Sequence, residues 1–137
     1  MERINIGIIT NVRKLLFAYR TLFSEHINSP AKIVFEAPSI ESISSNSDLN
    51  ETPELLLLDY RLVFKDTALF FSLVNHHYPN MTIFLIVDQP YIREAQRCKK
   101  YIHSFLPPNL DVLQLFMRIR NSTLLPSFIK VGWDING

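Results

Sequence analysis

The chain has 137 residues, 47% of them hydrophobic, and a formal net charge of +1. That length fits one domain with a sizeable core, and the balanced charge argues against a nucleic-acid surface or a polybasic membrane patch. No apolar stretch approaches the ~20 residues that cross a bilayer, and the N-terminus lacks the pattern of a secretory signal. We therefore expect a cytoplasmic protein that binds neither nucleic acid nor membrane directly.

The first part of the chain alternates between strand and helix patterns. Arg3–Ile9 predicts a first strand, because β-branched residues cluster around its glycine. Apolar residues at helical spacing then predict a helix from about Val12 to His26. Ala31–Ala37 predicts a second strand. Residues 39–50 carry only a weak helical pattern, which gives way to a loop rich in serine and asparagine.

The most informative stretch is an apolar run that ends on one carboxylate. Leu55–Leu58 cannot form a strand with one buried face, because alternate side chains point to opposite faces. Such a run is typical of a strand covered on both sides, as in the middle of a parallel sheet. Since ligands of open α/β sheets bind beyond the carboxyl ends of the strands, Asp59 is the leading candidate for a functional residue.

The next elements are a helix and a strand. Asp66 is predicted to cap a helix that ends near Tyr78. Phe71 is the one aromatic residue of this helix that we expect to be partly exposed. Thr82–Val87 predicts a fourth strand that is apolar on both faces. The residues of the helix predicted to point inward are Leu69, Phe70, Leu73 and Val74.

The last third of the chain completes the alternation. A short helix is predicted at about Tyr91–Lys100, a fifth strand at Tyr101–Leu106, and a last helix from Pro108 or Asn109 to about Thr123. Strands that alternate with helices predict a parallel sheet with right-handed crossovers. The inward positions of the last helix are predicted to be Leu110, Leu113, Phe116, Met117 and Ile119.

The lone cysteine and the paired histidines are interpreted as structural. Cys98 is the single cysteine of the chain, which excludes a disulfide framework and a thiolate zinc cluster. No neighbouring histidine and acid pattern activates it, so we expect a packing residue. His76 and His77 lie at the end of a predicted helix, where exposed histidines suit the helix dipole.

The order and spacing of these motifs resemble the receiver domain of bacterial response regulators over about Arg3–Asn121. Leu57-Leu58-Asp59-Tyr60-Arg61-Leu62 resembles the family's phosphoacceptor strand, and Phe105-Leu106-Pro107 is similar to the end of its fifth strand. The Asp-Tyr-Arg-Leu motif is most similar to receivers that precede a LuxR/NarL-type helix-turn-helix. The resemblance implies a doubly wound, flavodoxin-like (CheY-like) fold, with a five-stranded parallel sheet of order 2-1-3-4-5 and helices on both faces.

The resemblance also implies a phosphorylation pocket, of which one group is retained. Asp59 matches the acceptor, whereas Thr10 and Asn11 match the two acids that hold Mg²⁺. Val87 matches the hydroxyl residue at the end of the fourth strand. Leu106 matches the phosphate-binding lysine of the fifth strand.

These replacements have a physical cost. Mg²⁺ usually needs one or two carboxylates, so with Asp59 as the sole nearby acid we expect weak or absent Mg²⁺ binding and no other metal or cofactor. Phosphoryl transfer depends on positioning and charge neutralisation, and we predict no enzymatic activity. A simpler alternative is that Asp59 caps a loop through backbone N–H groups, and that Thr10 and Asn11 are helix N-caps.

Partner contacts are also implied by the resemblance. The family's switch aromatic corresponds to His103, which we expect to be either exposed or part of an interface. Receivers generally pair through their fourth helix, fifth strand and fifth helix, which implies a homodimer through the same face here. The interface candidates are Arg93, Arg97, Tyr101, His103, Phe116 and the outer face of Leu110–Arg120.

We divide the chain into a receiver-like domain, residues 1–123, and a C-terminal tail, residues 124–137. The tail keeps apolar residues. It either packs on the domain or begins a linker toward a DNA-binding output domain that this chain lacks.

Three functions follow. The favoured one is an atypical receiver-like module, the N-terminal domain of a transcriptional regulator, that acts by protein–protein contact with little or no Mg-dependent phosphorylation. The alternative is a functional phosphoacceptor in which Lys99 or Lys100 replaces the missing cation. A small-molecule or nucleotide binder is disfavoured, because the first β–α loop, residues 9–12, has no glycine to cradle a phosphate.

Overall fold

Five parallel strands form one sheet in the computed structural model, which describes residues 3–42, 52–109 and 111–124, without the side chains of the last two. The order β2-β1-β3-β4-β5 and the parallel pairing of every neighbouring pair confirm the predicted sheet. The strands are β1 Ile4–Ile9, β2 Ala31–Ala37, β3 Leu55–Asp59, β4 Thr82–Ile86 and β5 Ser104–Leu106.

The described ranges contain three α-helices and three complete 3₁₀ segments, besides 3₁₀ residues at 41–42 next to the undescribed stretch. The predicted α-helix at Tyr91–Lys100 is wrong in type, because two 3₁₀ segments cover this region. Most of the weak helical pattern at 39–50 lies outside the described residues. The helices are α1 Arg13–Glu25, α2 Thr67–His77 and α3 Val112–Leu124, and the 3₁₀ segments are Tyr60–Leu62, Gln89–Tyr91 and Glu94–Tyr101.

The four leucines of β3 explain why helices are needed on both faces of the sheet. Each of them is at most 1% exposed. Leu55 and Leu57 pack in a layer with α1 and α3, whereas Leu56 and Leu58 pack in a layer with α2 and the Glu94–Tyr101 segment. The alternation of a strand therefore gives each core layer two leucines.

Several predicted orientations are wrong. Leu69 of α2 is 51% exposed, whereas Phe71 is buried and stacks on Tyr101 with the ring centroids 4.8 Å apart. In α3, Leu113 and Met117 are exposed. The reason is that the core positions of α3 are taken by Leu115, Phe116 and Ile119. Leu110 lies outside the described residues.

Cys98 is fully buried. It packs in the layer under α2, and burial raises the pKa of its thiol. A protonated, enclosed thiol is a poor nucleophile, which agrees with the predicted packing role. In the described ranges, none of the helices combines the length and the apolar character that a membrane span requires.

Adjacent residues of α3 allow a test of this packing. Phe116 stacks on Phe23 with ring centroids 5.9 Å apart, so Phe116→Ala should lower the free energy of unfolding by about 3–5 kcal/mol. Met117→Ala, on the exposed face, should change it by less than about 1 kcal/mol. Urea denaturation measures both values, and equal losses would contradict the orientation of α3.

Candidate functional site

The candidate site lies at the carboxyl edge of the sheet. Asp59 is the last residue of β3, Thr10 directly follows β1, and Asp88 lies two residues beyond β4. Parallel strands end at the same edge, and this is where open α/β sheets bind ligands. The fold therefore brings these polar side chains close together.

The carboxylate of Asp59 is buried and engaged by the protein itself. The residue is 3% exposed. Its Oδ2 accepts a hydrogen bond from Thr10 Oγ1 at 2.8 Å, and its Oδ1 accepts one from the backbone N–H of Arg61 at 3.0 Å. Each carboxylate oxygen thus has a donor, and the second bond is the loop-capping contact that the simpler alternative expected.

Thr10 and Asn11 do not cap α1, so this part of the alternative is wrong. The N-cap of α1 is Val12, which makes no side-chain capping bond. Thr10 Oγ1 instead accepts a hydrogen bond from the backbone N–H of Val12 at 3.1 Å while it donates to Asp59. Asn11 is exposed. The Thr10 hydroxyl therefore links the start of α1 to the strand-end carboxylate.

A pocket of about 430 Å³ opens beside Asp59, with mostly apolar walls and four charged residues, namely Lys14, Asp59, Arg61 and Asp88. Asp88 Oδ2 lies 2.5 Å from Arg61 Nη2. The expectation that Asp59 is the sole nearby acid is therefore wrong. The available signal was that Asp88, like Asp59, follows an apolar strand, because strand ends share one edge.

Two predicted pocket positions lie elsewhere. Val87 packs in the layer that contains Cys98, whereas Ile86 is in register with Asp59 and lines the pocket. The error arises from the two-residue period of a strand, since a shift of one residue moves a side chain to the opposite face. Leu106 is buried in the other core layer and does not line this pocket.

The predicted substitute cations are also displaced. Lys99 and Lys100 do not line the pocket, and the lysine that does so is Lys14. Lys100 Nζ lies 5.3 Å from the ring centroid of Tyr101. Lys14 was not predicted because it lies on α1, five residues after the end of β1, and not at a strand end.

The comparisons with known proteins give matches at the level of structure. No protein-family model and no curated protein matches the chain. A CheY-like response regulator receiver domain protein from Methanospirillum hungatei JF-1 superposes with a TM-score of 0.65 at 12% identity, covering 88% of this chain and 94% of that one. The signal receiver domain of an HD domain-containing protein from Pseudomonas fluorescens Pf-5 superposes with a TM-score of 0.66 at 17% identity, covering 88% of this chain and 94% of that one.

The RcsB response regulator of Salmonella typhimurium gives a TM-score of 0.68 at 17% identity, covering 92% of this chain and 64% of that one. The chain has the CheY-like receiver fold. At such identities the likeness establishes the fold, and the predicted doubly wound architecture is confirmed.

Receiver folds imply a Mg²⁺ site at this edge, and the residues present do not fit one. In the described part of the chain, no group of three or more His, Cys, Asp or Glu residues could hold a metal. Both oxygens of Asp59 already accept hydrogen bonds, and Asp88 is paired with Arg61. A hard cation that requires near-octahedral oxygen ligands would have to share the Asp59 oxygens with these donors, separate Asp88 from Arg61 and approach a guanidinium.

The interface candidates divide into available and occupied side chains. Phe116 is wrong as an interface residue, because it is 5% exposed and stacked on Phe23. Arg97 donates hydrogen bonds to backbone carbonyl groups of its own chain. Tyr101 is partly buried against Phe71. Arg93 remains exposed.

His103 lies at the edge strand and faces its neighbour β4. Its ring atom Nδ1 accepts a hydrogen bond from the backbone N–H of Ile83 at 3.3 Å. The backbone N–H of His103 donates to the carbonyl of Ile83 at 2.9 Å. The residue is partly buried and does not line the Asp59 pocket. Its position favours a role in extending the β4–β5 pairing.

The Thr10–Asp59 bond can be tested by removing one hydroxyl. Thr10→Val keeps the shape but leaves a buried carboxylate oxygen without its donor, so the free energy of unfolding should fall by about 1–3 kcal/mol. Thr21→Val, at a partly exposed position of α1, should change it by less than about 0.5 kcal/mol. Urea denaturation of both variants decides, and a neutral Thr10→Val would contradict the bond.

A second prediction concerns high pH. Burial and the negative charge of Asp59 raise the pKa of Tyr19 from 10.0 to about 12. The unfolded chain therefore ionises first, and stability that is constant below pH 10 is lost as the pH rises toward 12, by about 2 kcal/mol. Tyr19→Phe should lack this loss, so its stability relative to wild type should increase over that range. Parallel curves for the two proteins would contradict the assignment.

Proposed function

We propose that the chain is an atypical receiver-like regulatory module that acts through protein–protein contact, with little or no Mg-dependent phosphorylation of Asp59. The observation that carries the proposal is the state of that side chain, which is 3% exposed and hydrogen-bonded at both oxygens. A phosphoacceptor must offer one oxygen for in-line attack. Here each oxygen already accepts one hydrogen bond, from Thr10 or from the backbone, which lowers its nucleophilicity.

The surroundings of Asp59 support the same function. Phosphoryl transfer is accelerated by donors and cations aimed at the charge of the transferring group. Ile86 stands in register with Asp59 and offers no hydrogen bond. The charge of Arg61 is balanced by Asp88. Lys14 also lines the pocket and takes part in neither of the ion pairs found among the described residues, Arg20–Glu36 and Arg61–Asp88.

The module is further proposed to be the N-terminal domain of a transcriptional regulator. The support is the likeness to RcsB, a response regulator that interacts with DNA. This protein covers 64% of the RcsB chain. The remaining third of RcsB has no counterpart in the superposition. We expect the proposed contact surface to include the exposed Arg93, the N-cap residue of the Glu94–Tyr101 segment.

A functional phosphoacceptor is the second candidate, and one observation favours it. Asp88 and Lys14 line the same pocket as Asp59, so a second carboxylate and an ammonium group are near the acceptor. In this version Lys14, and not Lys99 or Lys100, supplies the cation.

The two functions differ in their response to phosphoryl mimics. The full chain with Mg²⁺ and beryllofluoride should show unchanged amide resonances around Thr10, Asp59 and Asp88, because the pocket does not fit the metal. Acetyl phosphate should leave the intact mass unchanged. Any self-association measured by sedimentation should be the same with and without these reagents. A receiver domain with a complete set of pocket acids serves as the positive control.

Variants separate the outcomes. Saturable amide shifts in the wild type that disappear in Asp59→Asn would contradict the proposal and establish a phosphoacceptor. If those shifts also disappear in Lys14→Gln, the lysine is the substitute cation. Shifts that persist in Asp59→Asn would place the binding away from the candidate site.

A further inference from the structure

The Glu94–Tyr101 segment has an unusual length for its hydrogen-bonding type. It is a 3₁₀ helix of eight residues, whereas such runs are uncommon beyond three or four. Its residues Glu94-Ala95-Gln96-Arg97-Cys98-Lys99-Lys100 are mostly strong α-helix formers. The local sequence therefore favours one helix type and the folded chain adopts another.

The hydrogen bonds at the two ends of the segment do not account for this choice. At its N-terminal end the bond from Gln96 N to the carbonyl of the N-cap residue Arg93 is 3.2 Å long, and at its C-terminal end the bond from the C-cap residue Ile102 N to the Lys99 carbonyl is 3.4 Å long. Such bonds have poorer geometry than those of an α-helix. Contacts with the rest of the protein must therefore select the 3₁₀ form.

A cluster of three side chains, the Tyr60–Glu94–Arg97 cluster, supplies such contacts. The Tyr60 hydroxyl donates a hydrogen bond to Glu94 Oε2 at 2.5 Å. Arg97 donates to the same hydroxyl from Nε and Nη2, each at 3.3 Å, and its guanidinium carbon lies 5.5 Å from the Tyr60 ring centroid. A single hydroxyl can accept and donate at once.

Arg97 also fastens the loop between β3 and α2. Its Nη1 donates to the carbonyl of Phe64 at 3.1 Å and to that of Lys65 at 2.9 Å, and it bonds to Thr67 Oγ1. The segment is thereby tied to the loop that leaves Asp59. Tyr60 itself lines the Asp59 pocket.

The 3₁₀ geometry is what makes these contacts possible. Side chains at i and i+3 eclipse in a 3₁₀ helix, because three residues complete a turn. Glu94 and Arg97 are three residues apart and meet the same hydroxyl. Ala95 and Cys98 repeat the spacing on the buried side, and Tyr101 continues it against Phe71.

An α-helix of the same residues would break this alignment. It turns by about 100° per residue and rises about 1.5 Å, against about 120° and 2.0 Å for the 3₁₀ form. Over the three residues from Glu94 to Arg97 the two forms differ by about 60°. Between Ala95 and Tyr101 the difference doubles, so Tyr101 would leave its position on Phe71.

We propose that Glu94–Tyr101 is a two-state segment, 3₁₀ or α-helical, and that the Tyr60–Glu94–Arg97 cluster selects the 3₁₀ state. The inference rests on the proposed function only in that the two states present different side chains to a protein partner. The cluster adjoins the Asp59 pocket, so occupation of that pocket by a partner side chain would act on the segment through Tyr60.

The test uses the full chain and three variants. Tyr60→Phe removes only the hydroxyl, and Arg97→Gln removes the donors to Tyr60 and to the loop. Lys99→Gln is the matched control, because it removes an equal charge from an exposed position of the same segment. Backbone nuclear Overhauser effects distinguish the states, since Hα(i)–HN(i+2) contacts mark a 3₁₀ helix and Hα(i)–HN(i+4) contacts mark an α-helix.

The wild type and Lys99→Gln should show the i+2 pattern over residues 94–101. Tyr60→Phe and Arg97→Gln should gain i+4 contacts and lose i+2 intensity. The amide hydrogens of residues 97–102 should exchange about tenfold faster in these variants than in the wild type, because the 3₁₀ state opens more easily. An unchanged i+2 pattern in both variants would overturn the proposal. So would loss of order without i+4 contacts, or an α-helix in the wild type. None of these readouts requires Mg²⁺ or a phosphoryl mimic, so failure here is separate from failure of the proposed function.

Discussion

The hydrogen bond between Thr10 and Asp59 is the interaction on which the functional argument depends. It joins the ends of β1 and β3 at 2.8 Å and, with the Arg61 N–H, gives each oxygen of a buried carboxylate a donor. A buried charge without such partners would be costly. The same bonds engage one lone-pair position on each of the two oxygens that a metal ion or a phosphoryl group would need. In the proposed function, the bonds that stabilise the strand ends are therefore also the bonds that disfavour phosphoryl transfer.

Much of the fold was predictable from the sequence because its strongest pattern has one physical solution. The run Leu55–Leu58 requires cover on both faces, and alternating strand and helix patterns then require parallel strands. All five predicted strands are present in the described ranges. Asp59 was found by the same logic, since the end of a central strand is where ligands bind.

The remaining features depend on register and on contacts between distant residues. A shift of one residue along β4 exchanged Val87 for Ile86, and the rotation of α3 placed Leu113 and Met117 outside. Asp88 and Arg61 are 27 residues apart, and their ion pair is visible only once β3 and β4 are paired. The 3₁₀ form of Glu94–Tyr101 contradicts its local propensity and occurs together with contacts to Tyr60 and Phe71, which are distant in sequence.

The state of the Asp59 carboxylate during a magnesium titration is the most direct test. The ¹³Cγ resonance of Asp59, assigned by comparison with Asp59→Asn, reports metal coordination at the carboxylate itself. We predict that it does not move as Mg²⁺ is added, because both oxygens keep their protein donors. A saturable shift of that resonance, together with loss of the Thr10 hydroxyl bond, would contradict the central claim.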